Sequence, residues 1–349
     1  MSEQESKNYA EKQQGRLGKG LVISILAGLG VFIGLAFYGD IGQVGRSFTG
    51  FRWSYIPLVL VLAFLNYLIR FCRWDYYLRS IQIKLKWKDS MAIFLSGLSM
   101  TVTPAKLGEV FKSLLLKRIN GTEVSRSVPV VIAERITDVL GLLILAAISF
   151  SAFKYGIDVL IVLVALSVAL IAVMKSRTAG NTLLKICASV PILNKLSSSF
   201  GTAYESAHTL FGFKNILVAT VLSVVAWGCE CLAMYFVLEG FGVDVTVLLS
   251  TFVYSFSTLM GAVSLIPGGL IVVEGSSTGL LILAGISKGV AASATIVTRF
   301  CTLWFAVLVG LIALFVIRHK TIRDAKQERT TSRNLSLGKS AEHLTNLKE

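Results

Sequence analysis

Charged side chains set inside apolar sequence are the first feature that demands a chemical account. Glu134-Arg135-Ile136-Thr137-Asp138 stands within the apolar run 128–150, and Arg299 within the run 290–317. A central Arg or Asp costs about 2.5–3.5 kcal/mol to place in a hydrocarbon-crossing helix, so each needs a partner or a polar hollow. Candidate partners are Glu109, Glu134, Asp138, Glu230 and Glu274. On a helix, Glu134 and Asp138 share a face one turn apart, and Arg135 precedes Asp138 by three residues. Two chemistries fit this pattern. One is a structural network of ion pairs. The other is a planar guanidinium fork, from Arg135 and Arg299, that binds a phosphate while carboxylates orient it or exchange protons. The residue pattern leaves both open.

Two breaks add to this set. Thr103-Pro104-Ala105-Lys106-Leu107-Gly108-Glu109 interrupts the apolar stretch 91–116, and Ile266-Pro267-Gly268-Gly269, followed by Glu274, interrupts 245–286. Proline fits the first turn of a helix, where its missing N–H costs nothing. Each break is therefore expected to open a helix N-terminus, whose amides and positive dipole end favour an anion. Gly268 and Gly269 would let a ligand approach the backbone, and Lys106 would add a mobile cation. Read singly, such a break is an ordinary kink in a packed helix. Arg70 and Arg73 lie nearer the expected membrane boundary, where long side chains reach the headgroups.

The elements that must position these residues follow from hydropathy. The chain of 349 residues is 54% apolar and 15% charged, with a mean hydropathy of +0.72, a balance that belongs to membrane proteins rather than to water-soluble domains. Runs at 21–37, 55–71, 128–150, 159–174, 216–238 and 290–317 approach the roughly 20 residues a helix needs to cross a bilayer. The arms of the two interrupted stretches are shorter and suit re-entrant hairpins. The expectation is an all-α polytopic membrane protein with about six full spans and two broken-helix hairpins.

The net charge of +14 is not laid out for nucleic acid. Basic residues gather before the first run, at 73–88, 106–126 and 175–214, and after Arg318, so by the positive-inside rule both termini and alternate loops face the cytoplasm and its anionic leaflet. Residues 1–19 read as a cytoplasmic tail, 318–349 as a disordered one, and the first run as a retained anchor. Linker 175–213 reads as interfacial, with Tyr204, Ala207, His208 and Phe211 on one helical face and His208 an interfacial side chain rather than a ligand. Gly30 and Gly34 have the spacing of close helix packing. Five scattered cysteines and three histidines form no metal site, and the Gly-rich stretches lack the ending of a phosphate-binding loop, so no metal or cofactor is expected.

The chain also repeats itself. Residues 70–78 align with 230–238, and Pro, Glu and Arg then recur in order as Pro104, Glu109, Arg135 and Pro267, Glu274, Arg299. One copy spans about 54–150 and the other about 214–317, and the charge rule starts them on opposite sides, so they are expected to be inverted.

These motifs together resemble the lysylphosphatidylglycerol synthase transmembrane region family, over residues 21–317. This is the flippase-like membrane domain also found in the multiple peptide resistance factor. The resemblance implies inverted repeats with re-entrant helices, between which an amphiphilic lipid headgroup passes from leaflet to leaflet. No soluble aminoacyltransferase segment follows the last apolar run, so lysyl transfer is not expected. The leading expectation is a flippase in the plasma (inner) membrane for an anionic phospholipid or polyprenyl-phosphate lipid, driven by a gradient or by none. An intramembrane enzyme and a scaffold in lipid-linked glycan or headgroup metabolism are the competing readings. Membrane lipids are the expected partners, and both an oligomer and a lipid-modifying enzyme partner are compatible with the sequence.

Overall fold

The computed structural model describes residues 28–102, 109–150, 161, 165, 197–317 and 319, and every regular element among them is helical. Helix α1 (Gly28–Tyr38) turns by 95° into α2 (Ile41–Thr49). Asp40 makes the bend, with φ 65° and a side chain that caps α2 by accepting from Gly42 N at 2.9 Å. Then come α3 (Ile56–Ser80), α4 (Trp87–Leu98), α5 (Phe111–Asn120), α6 (Val124–Ser149), α7 (Ser197–Leu210) and α8 (Phe213–Gly240). The last elements are α9 (Val247–Val263), α10 (Val272–Leu283) and α11, which begins at Lys288, passes a π turn at Phe300–Trp304 and runs to Ile317.

Among the described residues three stretches, Trp53–Ser80, Phe213–Gly240 and Lys288–Ile317, are long and apolar enough to cross a membrane, and the bent α1–α2 pair makes a fourth if taken as one span. Helix α6 has 26 residues, about 39 Å at 1.5 Å per residue, which is long enough to cross as well. What sets it apart is its charge. Val61, Leu217, Val221 and Phe315 are each more than half exposed, so the long helices turn apolar flanks outward, as a lipid-facing surface requires. The chain is a multi-pass helical membrane protein. The expected span at 159–174 and the tails 1–19 and 320–349 lie outside the described residues, as does most of the linker. Its end is α7, which buries Ala207 and Leu210 against the bundle, with Phe211 just beyond it, while Tyr204 and His208 stay half-buried.

The two halves share their local construction. Helices α3 and α8 end in the same turn: Ile83 N donates to Leu78 O (2.8 Å) and Val243 N to Leu238 O (3.1 Å), across the left-handed residues Gln82 and Gly242. Helices α5 and α10 both give way to a left-handed glycine, Gly121 and Gly285. Arg299 closes the 12-residue stretch that opens α11, and Arg135 holds the same place counted from the start of α6.

The contact of α3 with α8 is reciprocal. Asn66 Nδ2 donates to Ala226 O at 2.8 Å, a separation of 160 residues, which is the same shift that relates the two helix ends. Tyr76 OH donates to Asn215 Oδ1 at 2.7 Å, and the pair shifted by that interval, Tyr55 and Phe236, stacks at 6.1 Å. Because the start of each helix meets the end of the other, α3 and α8 run antiparallel. There are two large apolar cores, one around Phe51, Met234 and Phe252, the other around Tyr67, Trp74 and Phe94.

Gly310 of α11 lies against the end of α4, where an added Cβ would stand 2.1 Å from Ser99 N and 2.8 Å from Leu98 C. Backbone cannot yield as a side-chain tip does. Gly310→Ala is expected to cost about 1–3 kcal/mol of stability, read as earlier loss of the monodisperse peak when detergent-purified protein is heated before size exclusion. Gly30→Ala, with open space at its Cβ, is the control and should leave the profile unchanged.

Candidate functional site

Helix α6 carries Glu134, Arg135 and Asp138 into the bundle, and each finds a partner. Arg135 Nη2 lies 3.0 Å from Glu109 Oε2 and 3.0 Å from Asp138 Oδ2. Glu109 Oε2 is 3.8 Å from Lys112 Nζ, which is 2.5 Å from Glu134 Oε2. Glu134 Oε1 is 4.0 Å from Arg73 Nη2, and Arg73 Nη1 bonds Asp138 Oδ1 at 2.7 Å. The six groups therefore close a ring of alternating sign, Arg135, Glu109, Lys112, Glu134, Arg73, Asp138, and its formal charges cancel. Trp227 Nε1 also donates to Asp138 Oδ1 (3.0 Å), Arg73 bonds Ser223, and Lys112 lies 4.6 Å from the Trp74 ring centroid. Neighbouring dipoles and ring faces are what buried charges need beyond a counter-ion.

In the second half, Arg299 Nε bonds Glu274 Oε1 at 2.6 Å, and its Nη2 donates to Gly268 O at 2.6 Å. One guanidinium thus ties α11 to the turn after Pro267 and to the first turn of α10. The break is strained: Leu265 (φ 55°) and Ile271 (φ 73°) flank Gly268 and Gly269, all left-handed. For a non-glycine residue that region costs on the order of 1–3 kcal/mol and recurs at functional sites. Tyr67 OH takes the Thr302 carbonyl at 2.6 Å within the π turn that follows Arg299, and such turns also gather at functional sites.

Between the halves lies a cavity of about 250 Å³. Arg70, Arg135 and Arg299 all line it, with Asp138 and Glu230 and the rings of Tyr67, Trp227 and Tyr254; Gly268 and Gly269 form part of the wall. Leu265 and Ile266, 66% and 38% exposed, stand at its edge, so it opens on the surface at the Pro267 break. Glu230 accepts a short hydrogen bond from Tyr254 OH.

A helical membrane bundle with paired breaks and buried Arg–carboxylate sets matches known sequences. The profile of the lysylphosphatidylglycerol synthase TM region covers residues 21–310. The chain belongs to that family. Similar relatives include a UPF0104 membrane protein of Methanothermobacter thermautotrophicus, 24% identical over 74% of this chain and 84% of the relative. Another is a UPF0104 membrane protein of Pyrococcus horikoshii, 23% identical over 85% and 97%. A third, from Methanocaldococcus jannaschii, is 26% identical over 66% and 98%.

Of the residues expected at the family site, the structure brings Arg135, Glu109, Glu134 and Asp138 into the ring, pairs Arg299 with Glu274, and gathers Arg135, Arg299, Asp138, Glu230, Gly268 and Gly269 around the cavity. Pro104, Lys106 and Gly108 lie outside the described residues. Pro267 opens a short 3-10 turn, while α10 starts only at Val272, with Glu274 in its first turn. At this break the helix start faces its own carboxylate, and the Gly268 carbonyl is taken by Arg299. Arg73 and Arg70 do not reach outward: they are 0% and 7% exposed. Sequence reasoning placed them at the boundary because it counted distance to the helix end and not which face meets α6 and α8. It passed over Lys112 altogether. Its spacing to Glu109, one helical turn, was the available signal.

The ring yields a stability prediction. Glu134→Gln leaves Lys112 and Arg73 buried without a shared counter-charge, and the expected cost is about 3–5 kcal/mol. Combined with Lys112→Met, the loss should be smaller than the sum of the two single losses. Thermal unfolding in detergent for the two single variants and the double variant measures the coupling. Strict additivity would mean that the ring is not an energetic unit.

Proposed function

We propose that this chain moves an anionic lipid headgroup between leaflets through the cavity between its halves, as a flippase-type lipid transporter. One observation carries the reading: three guanidiniums, from α3, α6 and α11, edge a single hollow that opens on the surface of a membrane-embedded bundle. Guanidiniums edging this hollow suit a phosphate, while the apolar flanks outside suit acyl chains left in lipid. Membership of a family defined by the membrane region of a lysylphosphatidylglycerol synthase supports a phospholipid context.

The same reading takes the halves as inverted repeats with re-entrant hairpins at α4–α5 and α9–α10. The matched helix ends and the antiparallel, reciprocal contact of α3 with α8 support it. Rocking of one half against the other would expose the hollow to each leaflet in turn, as in other repeat-built transporters. The charge layout favours a plasma-membrane orientation with both termini in the cytoplasm.

Reconstitution into vesicles of purified protein with fluorescent headgroup-labelled phosphatidylglycerol, followed by quenching from outside, tests the reading. Wild type should move label between leaflets faster than protein-free vesicles. Arg299→Ala, which releases both Glu274 and the Gly268 carbonyl, should slow this at least tenfold. Equal rates with and without wild-type protein, for anionic labels of several headgroups, would sink the transport reading.

A further inference from the structure

Building on that transport reading, we propose that Arg70 is the residue that holds the headgroup's anion. The argument is one of remaining capacity. Arg135 is ion-paired with Glu109 and Asp138, although its Nε and Nη2 are also buried without a hydrogen bond, and Arg299 spends its charge on Glu274 and a backbone carbonyl. Arg70 lines the same cavity and, among the described residues, has neither a hydrogen bond nor an ion pair, which is what sets it apart from the other two. It is only 7% exposed, and its Nε is buried and unpartnered.

What holds Arg70 is an aromatic ring. Its guanidinium carbon lies 5.5 Å from the centroid of Trp227, and the Trp227 Nε1–H is itself fixed on Asp138. Stacking of this kind orients the planar fork and leaves its N–H edges unused, which is the arrangement that receives two phosphate oxygens. The Arg70 charge acts on Asp138 and Tyr67 without a direct ion pair to either, so an anion that bonds the fork directly supplies what those neighbours do not. The position equivalent to Arg70 in the second half is Glu230, 160 residues on by the interval that relates Asn66 to Ala226. The cavity wall is therefore cationic on the α3 side and acidic on the α8 side. A ligand carrying one anionic group enters with a defined orientation.

The test measures binding of dioctanoyl phosphatidylglycerol and, separately, of inorganic phosphate to the full chain in detergent, by quenching of tryptophan fluorescence and by thermal shift. Wild type should bind the lipid. Arg70→Gln should weaken it tenfold to a hundredfold, Arg70→Lys should restore part of the affinity, and Arg79→Gln, at an exposed arginine, should change nothing. Because Arg70 leaves no carboxylate behind, Arg70→Gln should keep or raise the melting temperature, which a structural arginine would not. Lipid binding unchanged in Arg70→Gln, or a collapse of its melting temperature, overturns the role of Arg70 and leaves the transport reading standing. Phosphate binding that depends on Arg70 with no lipid binding keeps the anion site and overturns the lipid. No binding of either probe by wild type overturns both.

Discussion

A closed ring of three cations and three carboxylates decides how this bundle can be assembled. None of its members could be buried alone, because an ion in surroundings of low polarity loses several kcal/mol of hydration that a single distant partner does not return. Arranged as Arg135, Glu109, Lys112, Glu134, Arg73 and Asp138 in alternation, each charge has an opposite neighbour on either side. The ring draws its groups from α3, from Glu109 two residues before α5, from α5 itself and from α6. Closing it therefore fixes three helices and the end of one break at once. Removing any one member opens the circuit at two places.

That constraint explains where the cavity can be. Once Arg135 and Asp138 are committed to the ring, their outer faces form one wall, and Trp227, bonded to Asp138, carries the wall across to α8. The opposite wall comes from the second half, where Arg299 clamps the strained turn at Gly268. Rigid charge pairing on one side and a strained, surface-open turn on the other give the hollow one fixed and one yielding boundary.

How much of this the sequence made legible depends on which physical signal each feature leaves. Helices and their breaks are written in local hydropathy, in Pro104 and Pro267 and in the glycines that end α5 and α10, so the helical membrane character and the family could be read directly. The Arg135 and Arg299 pairs could be anticipated because an apolar helix makes a charge conspicuous. Arg73 and Lys112 could not, since both stand near helix ends where a charge is unremarkable. Whether such a side chain turns inward is decided by the neighbouring helix, here Ser223 of α8 and the Trp74 ring. The start of α10 was misread for a related reason. Proline predicts a first turn but does not say how long that turn lasts, and the left-handed Gly268 and Ile271 delay the helix to Val272.

The two halves share a plan but not a charge pattern, and the difference is informative. On α6 the face around Arg135 carries Glu134 and Asp138; on α11 the same places beside Arg299 carry Thr298 and Thr302. Hydroxyls can bond the backbone of their own helix, as Thr302 does to Thr298 O at 2.8 Å, and need no counter-charge from a neighbour. Helix α11 is thereby relieved of the ties that lock α6, and its π turn gives it a further point of adjustment beside Arg299. Buried charge on α6 is thus held by neighbouring helices, whereas on α11, among the described residues, Arg299 is held by Glu274 and the Gly268 carbonyl alone.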